Sequence, residues 1–182
     1  MQNRGKQFED VIEKAFEKVP NTSIVRLHDQ TTGYLGSTNH CDFIVYNKPL
    51  EYHLECKSVH GNTLSIHSIP KQDKNGKLHG FYGNITDTQW EGLLEKSKIP
   101  GVIAGVICWW VDKDITRFMP IQVLDYLRKE GYKSIRFDAF PFRLNSFPII
   151  EIKGKKKRVF FDYEMQAFVE EVNSSEYNKT KS

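Results

Sequence analysis

Three charged residues lie close together in the stretch CDFIVYNKPLEYHLECKSV, residues 41–59. Asp42 begins one strand-like run, and Glu55 and Lys57 lie two residues apart in the next run. Residues two apart in a strand face the same side of a sheet, and a hairpin between the runs brings Asp42 beside Glu55. Neighbouring carboxylates repel each other, and burial raises that cost. A divalent cation removes the repulsion, so the stretch predicts a metal site with a lysine beside it.

The chemistry expected of such a site is phosphoryl transfer. Carboxylate oxygens suit Mg²⁺, which keeps several waters and often binds substrate phosphate as well; Mn²⁺ is expected to substitute for it. The ion polarises a phosphoryl oxygen and acidifies a water, and Lys57 would stabilise the added negative charge or orient the attacking water. The alternative is that these charges belong to an exposed, salt-bridged sheet edge.

A second set of residues has the same spacing. Asp138 precedes Glu151 and Lys153 as Asp42 precedes Glu55 and Lys57, so spacing alone does not separate the two sets. The context does, because prolines at 141 and 148 interrupt any simple hairpin between the acids of the second set. The first set is therefore the stronger candidate.

The rest of the chain predicts the elements that position these residues. Helical spacing of apolar residues predicts helices at 6–19, 86–98, 121–130 and 164–172. The helix at 86–98 has Thr86 or Thr88 as its N-cap, and Thr88 to Glu91 is a possible capping box. Strand-like runs lie at 23–27, 41–47, 52–59, 101–111, 115–119, 146–152 and 158–163. This order predicts an α/β domain with a mixed β-sheet flanked by helices over 1–172, followed by a polar tail at 173–182 that is expected to be flexible.

Composition limits the other classes of function. The three cysteines form no CxxC pair, and the six histidines are scattered without the tight pairing of structural zinc sites, although His53 shares a strand face with Glu55. A reducing, cytoplasmic setting fits this cysteine usage. The longest apolar run is too short to span a bilayer, and no signal peptide is visible. Motifs of the forms GxxxxGK[ST] and GxSxG are absent, so neither a nucleotide cofactor nor serine-hydrolase chemistry is expected.

Several motifs together resemble a known family. Asp42 followed by Glu55-x-Lys57 resembles the PD-(D/E)xK nuclease pattern. Asn3-Arg4-Gly5 followed by Glu9 is similar to the N-terminus of the RecU family of Holliday-junction resolvases. The segment STNHCD resembles that family's STTD, and FDY at 161–163 resembles its LDYL. The helix with Gln89 resembles the family's His-Gln helix, with threonine in place of the histidine.

The resemblance implies a restriction-endonuclease-like fold and a homodimeric, Mg²⁺-dependent endonuclease that cuts four-way DNA junctions symmetrically in recombination and repair. It implies the following roles: Asp42 and Glu55 as metal ligands, Glu9 as a third acid acting directly or through water, Lys57 as the catalytic lysine, Gln89 as a supporting residue, and Arg4 and Arg26 as phosphate contacts. Simpler roles stay open: Glu9 as a first-turn acid that suits the helix dipole, Gln89 as a helix-terminal polar residue, and Arg4 as a terminal charge.

The sequence departs from the family in the DNA-binding parts. A projecting stalk usually precedes the catalytic aspartate, whereas only LHDQTTGYLGSTNH occupies that place here, so the stalk is expected to be short or absent. The basic loop at 70–84 is predicted to take over some DNA contact, through Lys71, Lys74 and Lys77 and through Phe81 and Tyr82, which have no core to enter and could stack on bases. The basic run KGKKKR at 153–158 is either a solvated turn or a salt-sensitive phosphate contact.

Two other classes of function remain open at this point. One is a PD-(D/E)xK nuclease with a different substrate, such as a restriction-type or mismatch nuclease or an exonuclease. The other is a non-catalytic protein that binds branched DNA.

Overall fold

The structure is a computed structural model, and it describes residues 4–27, 39–67, 69–72, 74–138, 143–144 and 147–174. The helices in these ranges are α1 (Arg4–Phe16), α2 (Asp87–Lys96), α3 (Ile121–Lys129) and α4 (Met165–Ser174), with a short 3₁₀ turn at Val111–Lys113. The strands in the same ranges are β1 (Thr22–Arg26), β2 (Phe43–Asn47), β3 (Leu50–Val59), β4 (Thr63–Ser65), β5 (Ile69–Gln72), β6 (Leu78–Tyr82), β7 (Val102–Trp110), β8 (Ile115–Pro120), β9 (Ser134–Arg136), β10 (Arg143–Leu144), β11 (Phe147–Pro148), β12 (Ile150–Glu151), β13 (Gly154–Lys156) and β14 (Phe161–Tyr163).

A six-stranded mixed sheet forms the centre of the molecule, in the order β1-β2-β3-β7-β8-β12. The β3–β7 pair is parallel, and the other four pairs are antiparallel. A parallel pair requires a crossover connection, and α2 lies in the connection between β3 and β7. Strand β7, with the sequence VIAGVICWW, is buried at every position, which explains its continuous apolar run. The predicted fold class, an α/β domain with a mixed sheet flanked by helices, is confirmed.

Helices cover both faces of this sheet. On one face, α1 and α4 pack against a core that includes Phe8, Tyr52 and Phe168. On the other face, the core includes Trp90 of α2 and Leu124 of α3. Side chains in a strand alternate between the two faces. Strand β3 therefore presents an apolar row to the first face and a polar row to the second, and that polar row consists of Glu51, His53, Glu55 and Lys57.

The ends of the predicted elements differ from the structure in several places. Helix α1 begins at Arg4, two residues before the prediction, and α4 continues to Ser174, past the predicted domain boundary. Part of the predicted basic turn is a strand, because β13 pairs with β14 and its lysines can point outward from a short exposed ribbon. The remainder of the predicted tail, and residues 28–38 of the predicted short stalk segment, lie outside the described residues.

The predicted basic loop at 70–84 contains a two-stranded antiparallel ribbon, formed by β5 and β6. The turn between these strands includes Asn75 and Gly76, and Gly76 has a φ of 79°, which glycine adopts without steric cost. Asn-Gly between strand-like runs is a strong hairpin signal. This segment is therefore a hairpin rather than the predicted loop.

Candidate active site

The pairing of β2 with β3 brings the first candidate set together. Phe43 lies opposite Leu54 in this antiparallel pair, so the preceding residue, Asp42, lies opposite Glu55. The backbone N–H of Asp42 donates to the Leu54 carbonyl at 3.0 Å, and the backbone N–H of Cys56 donates to Asp42 Oδ2 at 2.7 Å. The backbone of β3 therefore fixes the position of the Asp42 carboxylate.

Glu55 is the most deeply buried acid of the set, with 1% of its surface exposed. Its Oε1 lies 2.5 Å from Lys57 Nζ and accepts a hydrogen bond from Gln89 Nε2 at 2.5 Å. Its Oε2 is buried and has no hydrogen-bond partner among the described residues. A buried carboxylate oxygen without a partner is costly to retain, and such an atom is suited to accept a ligand that the protein does not supply.

Gln89 links this carboxylate to the start of α2. Thr86 is the N-cap, and the two residues form a capping box: Gln89 N–H donates to Thr86 Oγ1 at 3.3 Å, and Thr86 N–H donates to Gln89 Oε1 at 3.0 Å. Because a backbone N–H can only donate, Gln89 Oε1 must face Thr86, and Nε2 must face Glu55. Of the two predicted caps, Thr86 is therefore confirmed, and the box starting at Thr88 does not form.

Gln89→Met is expected to reduce activity of this site by about tenfold or more, because it removes the hydrogen bond that orients Glu55 while keeping a good helix former of similar length. Thr86→Ala is the matched control, since it weakens the same cap by about 1 kcal/mol and leaves the Gln89 amide in place. Thermal unfolding of both variants measures the loss of the cap. Equal loss of activity in the two variants would contradict a specific role for the amide.

Burial raises the pKa of both carboxyl groups above their ordinary values. Burial raises the pKa of Glu55 to about 8, although the charge of Lys57 opposes this rise. Burial also raises the pKa of Asp42 to about 6, against the effect of the Cys56 N–H, and the negative charge of Glu9 adds to the increase. A hard divalent cation would offset both the burial and the mutual repulsion. The oxygen donors of Asp42 and Glu55, including the unpartnered Oε2, fit such an ion.

Glu9 is held at the edge of this group by Arg26. Arg26 Nη2 lies 2.5 Å from Glu9 Oε2, while Nη1 lies 2.5 Å from Asp10 Oδ1 and 3.2 Å from Glu13 Oε2. The guanidinium lies over the Phe43 ring, with 5.7 Å between Cζ and the ring centroid. Burial lowers the pKa of Arg26, but its hydrogen bonds to Asp10 and Glu9 outweigh that effect, and the net change is upward. Arg26 thus forms ion pairs with three acids of α1.

Arg26→Met is expected to destabilise the protein by about 2 kcal/mol, because it leaves three partly buried acids without their shared cation. The side chain of Arg26 is only 16% exposed. Lys18→Met is the control, since Lys18 forms an exposed ion pair with Asp162 whose loss is expected to cost less than about 1 kcal/mol. Urea denaturation measures both values, and equal destabilisation by the two substitutions would contradict the expectation.

The other predicted DNA contacts are more widely spread. Arg4 Nη1 lies 3.0 Å from His60 Nε2, and His60 Nδ1 lies 2.9 Å from Asp112 Oδ1. This chain of contacts holds Arg4 beyond the end of β3, the strand that carries Lys57. Lys74 and Lys77 are exposed in the connection between β5 and β6. The side chains of Lys71, Phe81 and Tyr82 lie outside the described part of the chain.

The second set of charged residues is arranged differently. Arg136 donates to both carboxylate oxygens of Asp138 at 2.8 Å, and Arg117 lies 3.3 Å from the exposed Glu151. Each acid of this set is therefore paired with an arginine near the surface. This arrangement is typical of surface ion pairs rather than of a metal site, in agreement with the weaker sequence prediction.

A cluster of metal-ligating residue types was missed by the sequence reasoning. His40, Cys41 and His53 have ligand atoms that all lie within 4.8 Å of one another, although the histidines are scattered along the sequence. The predicted hairpin does not contain this signal, because its antiparallel register places His53 opposite Ile44 and directs the residues before Asp42 towards those after Glu55.

Comparisons with known proteins complete the description. The chain matches no protein-family model, and no curated protein matches it. It is similar to the 1.6 Å structure of Hjc, a Holliday junction resolvase from the archaeal hyperthermophile Archaeoglobus fulgidus, with 18% sequence identity, 65% of this chain and 78% of that chain covered, and a TM-score of 0.41. None of the described helices is long and apolar enough to cross a membrane.

Proposed function

We propose that this protein is a Mg²⁺-dependent, structure-selective DNA endonuclease that resolves four-way junctions by paired phosphodiester cleavage. The observation that carries the proposal is the state of Glu55, which is buried beside Asp42 with one oxygen bound by Lys57 and Gln89. The other oxygen has no partner among the described residues. A carboxylate of this kind is a poor structural element and a good ligand for a hard cation.

The acidic residues of the site would have separate roles in phosphodiester hydrolysis. Asp42 and Glu55 would hold the ion, and Glu9 would act as a third acid directly or through a water. The bound ion would supply Lewis-acid polarisation of the phosphoryl oxygen and a more acidic water. Mn²⁺ is expected to replace Mg²⁺, since both ions accept the same oxygen donors.

Lys57 is the residue of this set that can act on the phosphate itself. As an ammonium it donates hydrogen bonds and cannot accept a proton. It would therefore orient the attacking water or stabilise the negative charge that develops on the phosphoryl oxygens. Its contacts to Glu55 and, at 3.4 Å, to Gln89 Oε1 hold the ammonium beside the acids.

Basic residues outside the acidic group support DNA as the substrate. Arg4, Lys74 and Lys77 are exposed, and the chain has a formal net charge of +3. Such residues would contact the phosphate backbone without reading the base sequence, as would Lys71, whereas Phe81 and Tyr82 would stack on bases. The phosphate contact expected of Arg26 is not part of this proposal, because its side chain is 16% exposed and pairs with three acids of α1. Two active sites related by a two-fold axis in a homodimer would account for paired cuts in opposing strands. A cytoplasmic location is part of this proposal.

Cleavage of a synthetic four-way junction, compared with a linear duplex of matched sequence, tests the proposal. We expect paired nicks in opposite junction arms in Mg²⁺ and no product in EDTA or with the duplex. Asp42→Asn should abolish the cuts, whereas Glu151→Gln, which alters the other Glu-x-Lys set, should leave them unchanged. Equal cleavage of both substrates would indicate a general nuclease. Junction binding that is unaffected by EDTA, with no product in any metal, would indicate a non-catalytic binding protein.

Oligomeric state is tested separately by analytical ultracentrifugation of the protein with and without the junction. A dimer on the junction is expected, because a monomer carries one acidic site and cannot place two cuts at once. A complex with a single chain per junction would contradict the paired mechanism.

A further inference from the structure

His40, Cys41 and His53 form a compact group on the α2 side of the sheet. His40 Nε2 lies 2.8 Å from His53 Nδ1, and Cys41 Sγ lies 3.9 Å from the same nitrogen. Cys41 and His53 are each 2% exposed. Two imidazoles and a thiol are thus gathered at one place, where Cys41 and His53 are buried and His40 is half-buried.

Three separate segments of the chain create this group. His40 and Cys41 lie immediately before β2, His53 lies on β3, and His40 packs against Gly92 of α2. A Cβ added at Gly92 would lie 2.3 Å from the Cβ of His40, so the absence of a side chain at 92 is what admits His40. The geometry of the group therefore depends on contacts between elements rather than on residues adjacent in sequence.

The distances are close to those of a tetrahedral zinc site. With Zn–N bonds of about 2.0 Å and Zn–S bonds of about 2.3 Å, ligand nitrogens lie about 3.3 Å apart, and sulfur lies about 3.6 Å from nitrogen. The observed separations of 2.8 Å and 3.9 Å lie on either side of these values. The third separation, between the ligand atoms of Cys41 and His40, is within 4.8 Å, so side-chain shifts of about an ångström would bring all three pairs to the spacing of a zinc site.

Glu51 gives His53 the outer partner that metal-binding histidines usually have. Glu51 Oε1 lies 2.7 Å from His53 Nε2, on the ring nitrogen opposite the one that faces His40 and Cys41. A carboxylate on one ring nitrogen fixes the tautomer that leaves the other nitrogen free to bind a metal. The thiol of Cys41 at present donates to the Phe43 carbonyl at 3.4 Å, a weak contact that metal binding would replace.

We propose that His40, Cys41 and His53 bind a zinc-class transition-metal ion at a site separate from the carboxylate site. Two nitrogens and one thiolate are soft or borderline donors that select such an ion over Mg²⁺, whereas Asp42 and Glu55 offer hard oxygen donors. With three protein ligands, the fourth position is taken by a solvent molecule. The ion ties the segment before β2 to β3, and so it stabilises the backbone that carries Asp42.

Cobalt titration of the EDTA-treated, chelator-free protein tests this proposal, because Co²⁺ reports its ligands by absorption. We expect visible ligand-field bands and a near-ultraviolet thiolate-to-cobalt band that saturate at about one equivalent per chain. Zn²⁺ should abolish both bands, and a large excess of Mg²⁺ should not. Saturation without the thiolate band, or no saturable binding, would overturn the proposal and leave the group as a hydrogen-bonded cluster.

Matched variants separate this site from its surroundings. Cys41→Ala should lose the thiolate band, whereas Cys108→Ala, which removes another buried cysteine, should keep it. Asp42→Asn should also keep it, which distinguishes this ion from one at the acidic site. Gly92→Ala leaves all three ligands present but displaces His40, and a loss of Co²⁺ affinity of at least about tenfold is expected. Retention of the band in Cys41→Ala, or its loss in Asp42→Asn, would overturn the assignment.

Discussion

Glu55→Gln is expected to reduce Mg²⁺-dependent cleavage by about a thousandfold while leaving the folded structure intact. Glutamine keeps the length of the side chain and the acceptor at Oε1 for Lys57 and Gln89, but it removes the negative charge that would bind the cation. A loss of about 4 kcal/mol of electrostatic stabilisation in the transition state corresponds to this factor. Single-turnover cleavage of the four-way junction measures it, with circular dichroism as the test of folding.

Although Glu55→Gln lowers cleavage, the same substitution is expected to raise the stability of the folded protein at high pH. In the metal-free folded protein the pKa of Glu55 is about 8, against a usual value of 4.5, so between these values the folded state binds a proton that the unfolded chain has lost. The free energy of unfolding then falls as pH rises from about 4.5 to about 8. Glutamine has no such proton, so in EDTA the Tm of the variant should match the parent near pH 5 and exceed it near pH 9.

Two outcomes would contradict this account of Glu55. Full cleavage by Glu55→Gln would remove the residue from the metal site. A Tm difference that is the same at pH 5 and pH 9 would show that the Glu55 carboxyl does not carry a raised pKa. Glu151→Gln is the control for both measurements, because Glu151 is exposed and paired with Arg117, and neither its cleavage rate nor its pH dependence of Tm should differ from the parent.

Cleavage at limiting Mg²⁺ is expected to rise about a hundredfold between pH 6 and pH 8. Protons and the cation compete for the same carboxylates, and burial raises the pKa of Glu55 to about 8 and that of Asp42 to about 6. Between pH 6 and pH 8 the ionised fraction therefore rises about fiftyfold for Glu55 and about twofold for Asp42, and the product of the two factors is about a hundredfold. Initial rates measured across this range at fixed, subsaturating Mg²⁺ test the expectation.

The concentration of Mg²⁺ provides the internal control for the pH profile. Saturating Mg²⁺ displaces the proton at lower pH, so the rise in rate should shift towards acid and become smaller. A profile that stays steep and unshifted at saturating Mg²⁺ would assign the titration to another step, such as activation of the water. A flat profile at limiting Mg²⁺ would show that no proton leaves the carboxylates when the cation binds.

The local patterns predicted most of the framework that carries the site. The alternation around Glu55 and Lys57 and the hairpin with Asp42 depend on period-two geometry alone. The apolar run of β7 is typical of a strand that is buried on both faces of a sheet. The start of α2 was predictable as well, since Thr86 has the chemistry of an N-cap. These features are decided within short stretches of chain, where neighbouring residues supply the interactions.

Features that depend on distant parts of the chain could not be predicted in the same way. Nothing near Arg26 indicates that its charge is engaged by acids of α1, because that depends on how the helix packs beside β1. The proximity of His40 to His53 likewise depends on register and on the space above Gly92. That Oε2 of Glu55 has no partner depends on how the interior packs, because it follows from the three-dimensional positions of all the donors around it.

The capping box of α2 links the hydrogen bond that orients Glu55 to the fraying of the first turn of the helix. Thr86 and Gln89 hold the first turn together, and the same Gln89 amide holds Glu55, so opening of that turn withdraws a donor from the carboxylate. Helix ends open at free energies well below that of global unfolding. The amide hydrogens of this turn and the competence for cleavage are therefore expected to share one local opening equilibrium. Warming is therefore expected to lower the rate of cleavage while the central sheet stays protected from exchange.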